Sequence, residues 1–95
     1  MSLPIKHNEN DRRGVFLIEG EHGIISELTY SKGRNNVLTI DHTETKRSEE
    51  GKGYASRLMA HAVEFARENK YKIDPLCPFA EVKFDEHPEY RDVLA

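Results

Sequence analysis

The feature that most constrains the fold is a change of hydrophobic period near the middle of the chain. Residues 37–43 alternate apolar and polar side chains, which is the period of a β-strand. From residue 53 to residue 69 the apolar side chains instead recur every three or four positions, which predicts a long amphipathic helix. Gly51 and Gly53 lie in the turn between the two segments. A strand followed directly by a helix predicts an α/β fold.

Before this point the chain alternates short apolar segments with turns. Residues 5–10, 15–19 and 24–30 have strand character, and the first of these is polar enough to lie at a sheet edge. Short turns between successive strands predict an antiparallel meander. After the helix, residues 71–76 predict a last strand that is parallel to residues 37–43. We therefore expect a mixed α/β sheet in one domain over residues 1–95, with an antiparallel N-terminal meander, a β-α-β crossover and a short C-terminal helix.

The composition excludes several classes of partner. Charged residues make up 33% of the 95 residues, and the net charge of −3 gives no general attraction to nucleic acid or to an anionic membrane. No apolar run approaches the ~20 residues of a membrane span, and no secretory h-region follows the start. The single cysteine fits a reducing compartment. We expect a cytoplasmic protein without nucleic-acid, membrane or metal partners, since no His, Cys and Asp spacing is typical of a zinc site.

The glycine turn predicts a phosphate-binding site. The first N–H groups of a helix lack intrahelical partners, and the helix dipole adds partial positive charge, so such a turn can bind a phosphate or pyrophosphate. The cations Lys46, Arg47 and Lys52 are opposed by Glu49 and Glu50, which leaves a local charge of only +1. Backbone N–H groups must therefore supply most of the attraction. The P-loop and dinucleotide-binding fingerprints are both incomplete at this turn.

Cys77 and His42 are the candidate reactive groups. Pro78 is suited to the first position of a helix, which would place Cys77 at the N-cap, where the helix dipole stabilises a thiolate. The alternative is a buried structural cysteine. His42 continues the alternation of Leu38 and Ile40, which predicts an inward side chain, either a general base or a hydrogen-bonded core histidine. Because both groups follow neighbouring strands, we expect them to meet the glycine turn in one crevice.

With these features the chain resembles the GNAT-type N-acetyltransferases. Their signature, between a central strand and a helix, is Gln or Arg, two residues, Gly, one residue, and then Gly or Ala. Residues 50–55 match it at Gly53 and Ala55, with Glu50 at the Gln or Arg position. The chain also resembles the minimal GNAT-like subfamily with an active-site cysteine. The similar features are the Ile-Asp-His-Thr sequence at residues 40–43 and a cysteine after the last strand, Cys77.

The resemblance implies an acetyl-CoA-dependent N-acetyltransferase that acts on an amine. The pantetheine arm would lie along the strand end, the pyrophosphate on the glycine turn, and the thioester would point toward Cys77. Cys77 would then be the acid for the leaving thiolate or a transient acetyl acceptor, with His42 as base or orienting group. The alternative is a non-catalytic CoA-binding or protein-interaction module. The expected cofactor contacts are Thr43, Glu44, Thr45, Glu50, Gly51, Lys52, Gly53, Tyr54 and Ala55.

Overall fold

The computed structural model describes residues 3–95, which form one five-stranded sheet with helices packed on it. The strands are β1 (Lys6–Glu9), β2 (Arg13–Gly20), β3 (Gly23–Lys32), β4 (Val37–Thr45) and β5 (Lys72–Pro75). The α-helices are α1 (Tyr54–Glu68) and α2 (Pro78–Glu86), and short 3-10 helices lie at Arg34–Asn36, Arg47–Glu49 and Pro88–Val93.

The sheet has the mixed topology that the sequence predicts. The spatial order is β1-β2-β3-β4-β5, and the first four strands form an antiparallel meander. α1 connects β4 to β5, and these two strands are parallel. Each predicted strand overlaps an observed one, although β4 continues two residues beyond its predicted end, to Thr45. The predicted α/β fold is therefore confirmed.

The core lies between one face of the sheet and the apolar side of α1. The stripe predicted for this helix is buried at Leu58, Met59, Ala62, Val63 and Ala66. Side chains of α2 and of the last 3-10 helix join the same cluster, which extends the core beyond the crossover unit. Burial of this apolar surface provides the main driving force for folding.

A bulge interrupts the pairing of β4 with β3. Tyr30 pairs with Ile40 and Thr29 pairs with His42, so Asp41 is an extra residue on β4 with no counterpart on β3. An extra residue shifts the alternation of side chains by one position, because successive strand residues point to opposite faces. The two halves of β4 therefore present different residues to the core.

The bulge reverses the orientation that the sequence predicts for His42. Its side chain is 56% exposed, on the face of the sheet away from the core. Thr43 and Thr45, which pair with the buried residues Leu28 and Ser26, take the inward positions instead. The prediction of an inward His42 is wrong because it assumes an unbroken alternation from Ile40 onward.

β4 and β5 separate beyond the bulge. Their parallel pairing ends where Ile40 meets Pro75, whereas β4 runs on to Thr45. The last link is a hydrogen bond from the Cys77 N–H to the Ile40 carbonyl, at 3.0 Å. Within the described chain, residues 42–45 therefore have a strand partner on the β3 side only, and a gap opens on the other side.

Candidate functional site

A groove lies where the free side of β4 faces the start of α1. Its volume is about 410 Å³, within the range of small-molecule sites. The groove is lined by Thr43, Glu44, Thr45, Glu49, Glu50, Gly51, Gly53, Tyr54, Ala55, Ser56 and Phe79. Three separate parts of the chain thus contribute to one cavity: the end of β4, the glycine turn with the first turn of α1, and the first turn of α2.

The glycine turn has the backbone geometry of a helix N-terminus that is open to a ligand. Gly51 and Gly53 have φ of +82° and +83°, in the left-handed region that favours glycine. A Cβ at either position would meet no atom within 4 Å, so the backbone conformation, rather than crowding, requires glycine here. The missing side chains leave the floor of the groove as bare backbone.

The first N–H groups of α1 are available at this floor. Gly53 is the N-cap and provides no side-chain hydrogen bond, and the first intrahelical bond runs from the Arg57 N–H to the Gly53 carbonyl, at 3.0 Å. The N–H groups of Tyr54, Ala55 and Ser56 precede that bond and have no acceptor within the helix. Together with the helix dipole they can bind an anion such as a diphosphate.

Neutral hydroxyl groups form the wall on the β4 side. The Thr45 hydroxyl lies 2.8 Å from the hydroxyl of Ser26, which is fully buried and 3.3 Å from the Glu44 carbonyl. Thr43 occupies the next inward position along the strand. This wall can hydrogen-bond the amide groups of an extended ligand without adding charge.

The side-chain charge at the rim does not favour an anion. Glu49 and Glu50 both line the groove. Lys52 is absent from the lining, and its amino group donates to Glu49 at 2.7 Å, which raises the pKa of Lys52. Attraction for a phosphate must therefore come from the backbone of the helix start, as the sequence implies.

Of the nine predicted cofactor contacts, only Lys52 does not line the groove. Sequence reasoning missed Glu49, Ser56 and Phe79. Ser56 could have been predicted from the signature, since it follows Ala55 in the first turn of the same helix. Phe79 enters from α2, and its position depends on how β5 and α2 pack, which no local pattern reports.

Cys77 lies at the N-cap of α2, as predicted. Its carbonyl accepts from the Glu81 N–H at 3.0 Å, and Pro78 is the first helical residue. The residue is 7% exposed and is not part of the groove lining, whereas Phe79, two residues further on, is. The sulfur is therefore nearly enclosed beside the point where β4 and β5 separate.

His42 does not join this site. Its Nε2 lies 3.2 Å from the Glu44 carboxylate, and both side chains are exposed on the opposite face of the sheet. The structure thus brings the end of β4, the glycine turn and the start of α2 together, but not the predicted pair of Cys77 and His42. The expectation that His42 shares the crevice is wrong for the same reason as its orientation.

A second cavity, of about 460 Å³, lies at the β1–β2 turn and is lined by Asn8, Glu9, Asn10, Arg13, Gly14, Val15 and Thr29. None of these is a predicted site residue, and no helix N-terminus opens into it. Among residues 3–95, no group of three or more His, Cys, Asp or Glu side chains is placed to share a metal ion. No helix in that range is both long and apolar enough to cross a membrane.

The site is thus a groove between a parallel strand pair that separates and a helix with a glycine N-cap. Comparison with known proteins gives the family: the model for GCN5-related N-acetyltransferases matches residues 15–93. The chain belongs to the GCN5-related N-acetyltransferase family. Acetyl-CoA is the co-substrate of this family and an amine is the acceptor, so the predicted class of enzyme is confirmed.

Several solved structures are similar. The NMR solution structure of a Staphylococcus aureus protein assigned as a GCN5-like N-acetyltransferase is 35% identical, with a TM-score of 0.74 over 98% of this chain and 88% of that chain. A Bacillus anthracis protein described as a streptothricin acetyltransferase, in complex with acetyl coenzyme A, is 22% identical with a TM-score of 0.61. The ribosomal-protein-alanine N-acetyltransferase of Brucella melitensis is 15% identical with a TM-score of 0.60.

The last two likenesses show the fold alone. They cover 82% and 90% of this chain but only 47% and 64% of those chains, so this chain spans less than two thirds of either protein. No match was found among curated proteins.

Proposed function

We propose that this protein binds acetyl-CoA in the groove and transfers its acetyl group to a primary amine, with Cys77 as the reacting thiol or acid. The observation that carries the proposal is the meeting of two sets of free backbone groups in one cavity. One set is the N–H groups at the start of α1, and the other is the side of β4 that β5 leaves open.

The two sets suit the two halves of the coenzyme. The diphosphate is the anion that the N–H groups of Tyr54, Ala55 and Ser56 would bind, at the positive end of the α1 dipole. The pantetheine arm carries amide groups, which would pair with the backbone of residues 41–45 as an added strand does. Its thioester would then lie in the gap beyond Ile40, next to the N-cap of α2.

Two balanced routes lead from this placement to product. In the direct route the amine nitrogen attacks the thioester carbonyl, the C–S bond breaks, and Cys77 gives its proton to the departing CoA thiolate. In the covalent route the Cys77 thiolate attacks first, which releases CoA thiolate and leaves S-acetylcysteine, and the amine then takes the acetyl group from that sulfur. In either route the amine loses one proton, which solvent accepts, and in the direct route the Cys77 thiolate then takes a proton back from solvent.

The position of Cys77 supports a role for its sulfur. Cys77 is the N-cap of α2 beside the point where β4 and β5 separate, and its burial limits any reaction to groups that enter the gap. His42 has no comparable support, because its side chain lies on the other face of the sheet. The proposal therefore rests on Cys77, and the role of His42 as base or orienting group stays a prediction.

A non-catalytic CoA-binding or interaction module is the second candidate. Two observations favour it: the carboxylates of Glu49 and Glu50 at the groove rim, and the near-complete burial of Cys77. The two candidates differ in turnover, since only the first releases CoA faster when an amine is added.

The test compares the parent protein with Cys77→Ala and Cys77→Ser. Acetyl-CoA affinity is measured by calorimetry, CoA release is followed with a panel of primary amines, and the protein is weighed by mass spectrometry for an acetyl adduct. We expect unchanged affinity in all three proteins and a rate loss of roughly 10²–10⁴-fold in Cys77→Ala. An adduct in the parent that is absent from Cys77→Ser would select the covalent route. Equal rates in parent and Cys77→Ala would remove Cys77 from the chemistry, and binding without release in the parent would leave the second candidate.

A further inference from the structure

We propose that Ser26 is a positioning residue for the groove: it accepts the hydrogen bond of the Thr45 hydroxyl, so that Thr45 presents lone pairs to the ligand and accepts from an amide N–H of the pantetheine arm. This role rests on the proposed function for its ligand, but the hydrogen bonds between Ser26, Thr45 and Glu44 do not. Ser26 thereby adds a side-chain contact, with a defined donor and acceptor, to the backbone pairing along β4.

Ser26 is a polar residue within the apolar core. Among residues 3–95 it is the only polar or charged residue that is buried, with an exposed fraction of 0%. A hydroxyl group that loses its water must find hydrogen-bond partners in the protein, whereas an alanine of nearly the same size would need none. The partners of this hydroxyl therefore determine what the residue does.

Two contacts fix the direction of the hydrogen bonds at Ser26. Its Oγ lies 3.3 Å from the Glu44 carbonyl oxygen and 2.8 Å from Thr45 Oγ1. A carbonyl oxygen can only accept, so the single hydroxyl proton of Ser26 is donated to Glu44. The contact with Thr45 then uses the proton of Thr45, which Ser26 accepts through a lone pair. The reverse direction, from Ser26 to Thr45, would leave the contact with Glu44 without a proton.

Thr45 is therefore an acceptor where it meets the groove. It is partly exposed and lines the cavity on the free side of β4. With its own proton directed at Ser26, its oxygen keeps lone pairs for a donor from the ligand. The amide N–H groups of the pantetheine arm are such donors, whereas the ionised phosphates of the coenzyme carry only acceptors. The Thr45 hydroxyl thus favours the amide part of the coenzyme at this point of the groove.

The first test measures CoA affinity by calorimetry in the parent, Ser26→Ala, Thr45→Val and the double variant. We expect Thr45→Val to weaken binding about fivefold to tenfold, because one hydrogen bond is lost. Ser26→Ala should weaken it less, since the Thr45 proton is then free to turn toward the groove. Because Ser26 acts through Thr45, the double variant should bind like Thr45→Val alone. Ser31→Ala removes a hydroxyl from the opposite face of the same strand and should leave the affinity unchanged.

A change in the ligand tests the same contact from the other side. Two CoA analogues, each with one pantetheine amide N–H replaced by an ester oxygen, remove the two donors in turn. With one of them the parent and Thr45→Val should bind equally, because the bond that Thr45 accepts is already absent. If Thr45→Val stays weaker than the parent with both analogues, the inference is overturned. It is overturned equally if the losses in Ser26→Ala and Thr45→Val add in the double variant, or if neither variant binds CoA more weakly than the parent.

A measurement without ligand separates this inference from the proposed function. In NMR spectra of the parent we expect the hydroxyl protons of both Ser26 and Thr45 to be protected from exchange with water, because each is donated within the protein. In Ser26→Ala the Thr45 proton should exchange freely. A parent in which only the Ser26 proton is protected would overturn the inference whether or not CoA binds. If both protons are protected and the parent binds no CoA, the proposed function and its ligand are refuted, but the direction of the hydrogen bonds is not.

Discussion

β3 and β4 together form an inner face whose two ends differ in burial. One end is packed in the core, and the other borders the open groove. At one end, Tyr30 and Ile40 pair and are both buried in the core. At the other, Ser26 and Thr45 pair, and their hydroxyls meet beside an open groove. A one-residue bulge separates the two ends. The comparison teaches that the sheet provides stability at one end and accessible backbone and hydroxyl groups at the other.

The closed end is filled by an aromatic cluster, which we define as His7, Phe16, Tyr30 and Phe65. The rings of His7 and Phe16 stack at 4.1 Å, and Phe65 meets both edge-on. The Tyr30 hydroxyl donates to Glu9 at 2.6 Å and lies 2.7 Å from His7 Nε2, so this buried polar group is satisfied. Burial, followed by the bond to Glu9, raises the pKa of Tyr30 far above its usual value.

The largest expected effect on stability comes from opening the closed end. Phe16 is fully buried, so Phe16→Ala leaves a cavity and should lower the free energy of unfolding by about 3–5 kcal/mol. Phe79→Ala, at the groove, removes a ring that is only partly buried and should cost much less stability while weakening acetyl-CoA binding. Denaturant unfolding and calorimetry measure the two effects. If Phe79→Ala lowered the free energy of unfolding as much as Phe16→Ala does, the proposed difference between the two regions would be contradicted.

Two glycines offer a matched pair that sharpens the comparison. Gly53 at the groove and Gly23 at the β2–β3 turn both have positive φ, and at both a Cβ would meet no atom within 4 Å. Each change to Ala should cost roughly 1–2 kcal/mol of stability through backbone strain. Only Gly53→Ala should also weaken acetyl-CoA binding, by about tenfold, because its Cβ would stand between the ligand and the helix N–H groups. Equal affinity in the two variants would place the diphosphate elsewhere.

The smallest effect concerns the acid stability of the bulge. The pKa of Asp41 is lower in the folded protein than its ordinary value of 3.8, so its contribution is present above that value and is lost as the pH falls below it. The groups that face Asp41 are Arg13 from β2, and Thr29 and Ser31 from β3. We expect parent and Asp41→Asn to differ by about 1 kcal/mol at pH 6 and to converge near pH 2. Parallel stability curves across this range would contradict the prediction.

Local sequence patterns predicted the strands, the helices and the glycine turn because each depends on residues close together in the chain. Gly51 and Gly53 indicate the turn. Pro78 indicates the start of α2, which in turn places Cys77 at the N-cap. The bulge was not predicted because it depends on the pairing of β4 with β3 rather than on neighbours in the sequence. An aspartate at an outward strand position has no local feature that marks an extra residue. The false orientation of His42 follows from that single omission.

The aromatic cluster was not predicted from the sequence for a related reason. His7 stands in a polar edge segment, and nothing nearby in the sequence indicates that its ring packs on Phe16 and contacts the Tyr30 hydroxyl. Gly14 gives no local signal either, although a Cβ there would lie only 2.2 Å from the Tyr30 ring. Both contacts arise from the register of β1, β2 and β3, which is set across strands rather than along one.

The most direct test of the account is an NMR titration of the parent protein with CoA, read at the backbone amides. We predict saturable shifts at residues 43–45 and 54–56, which line the groove, and unchanged amides at the aromatic cluster and around the cavity at the β1–β2 turn. Shifts centred on that second cavity, or a helix start that does not respond at saturating CoA, would contradict the claim that free backbone groups of α1 and β4 bind the coenzyme.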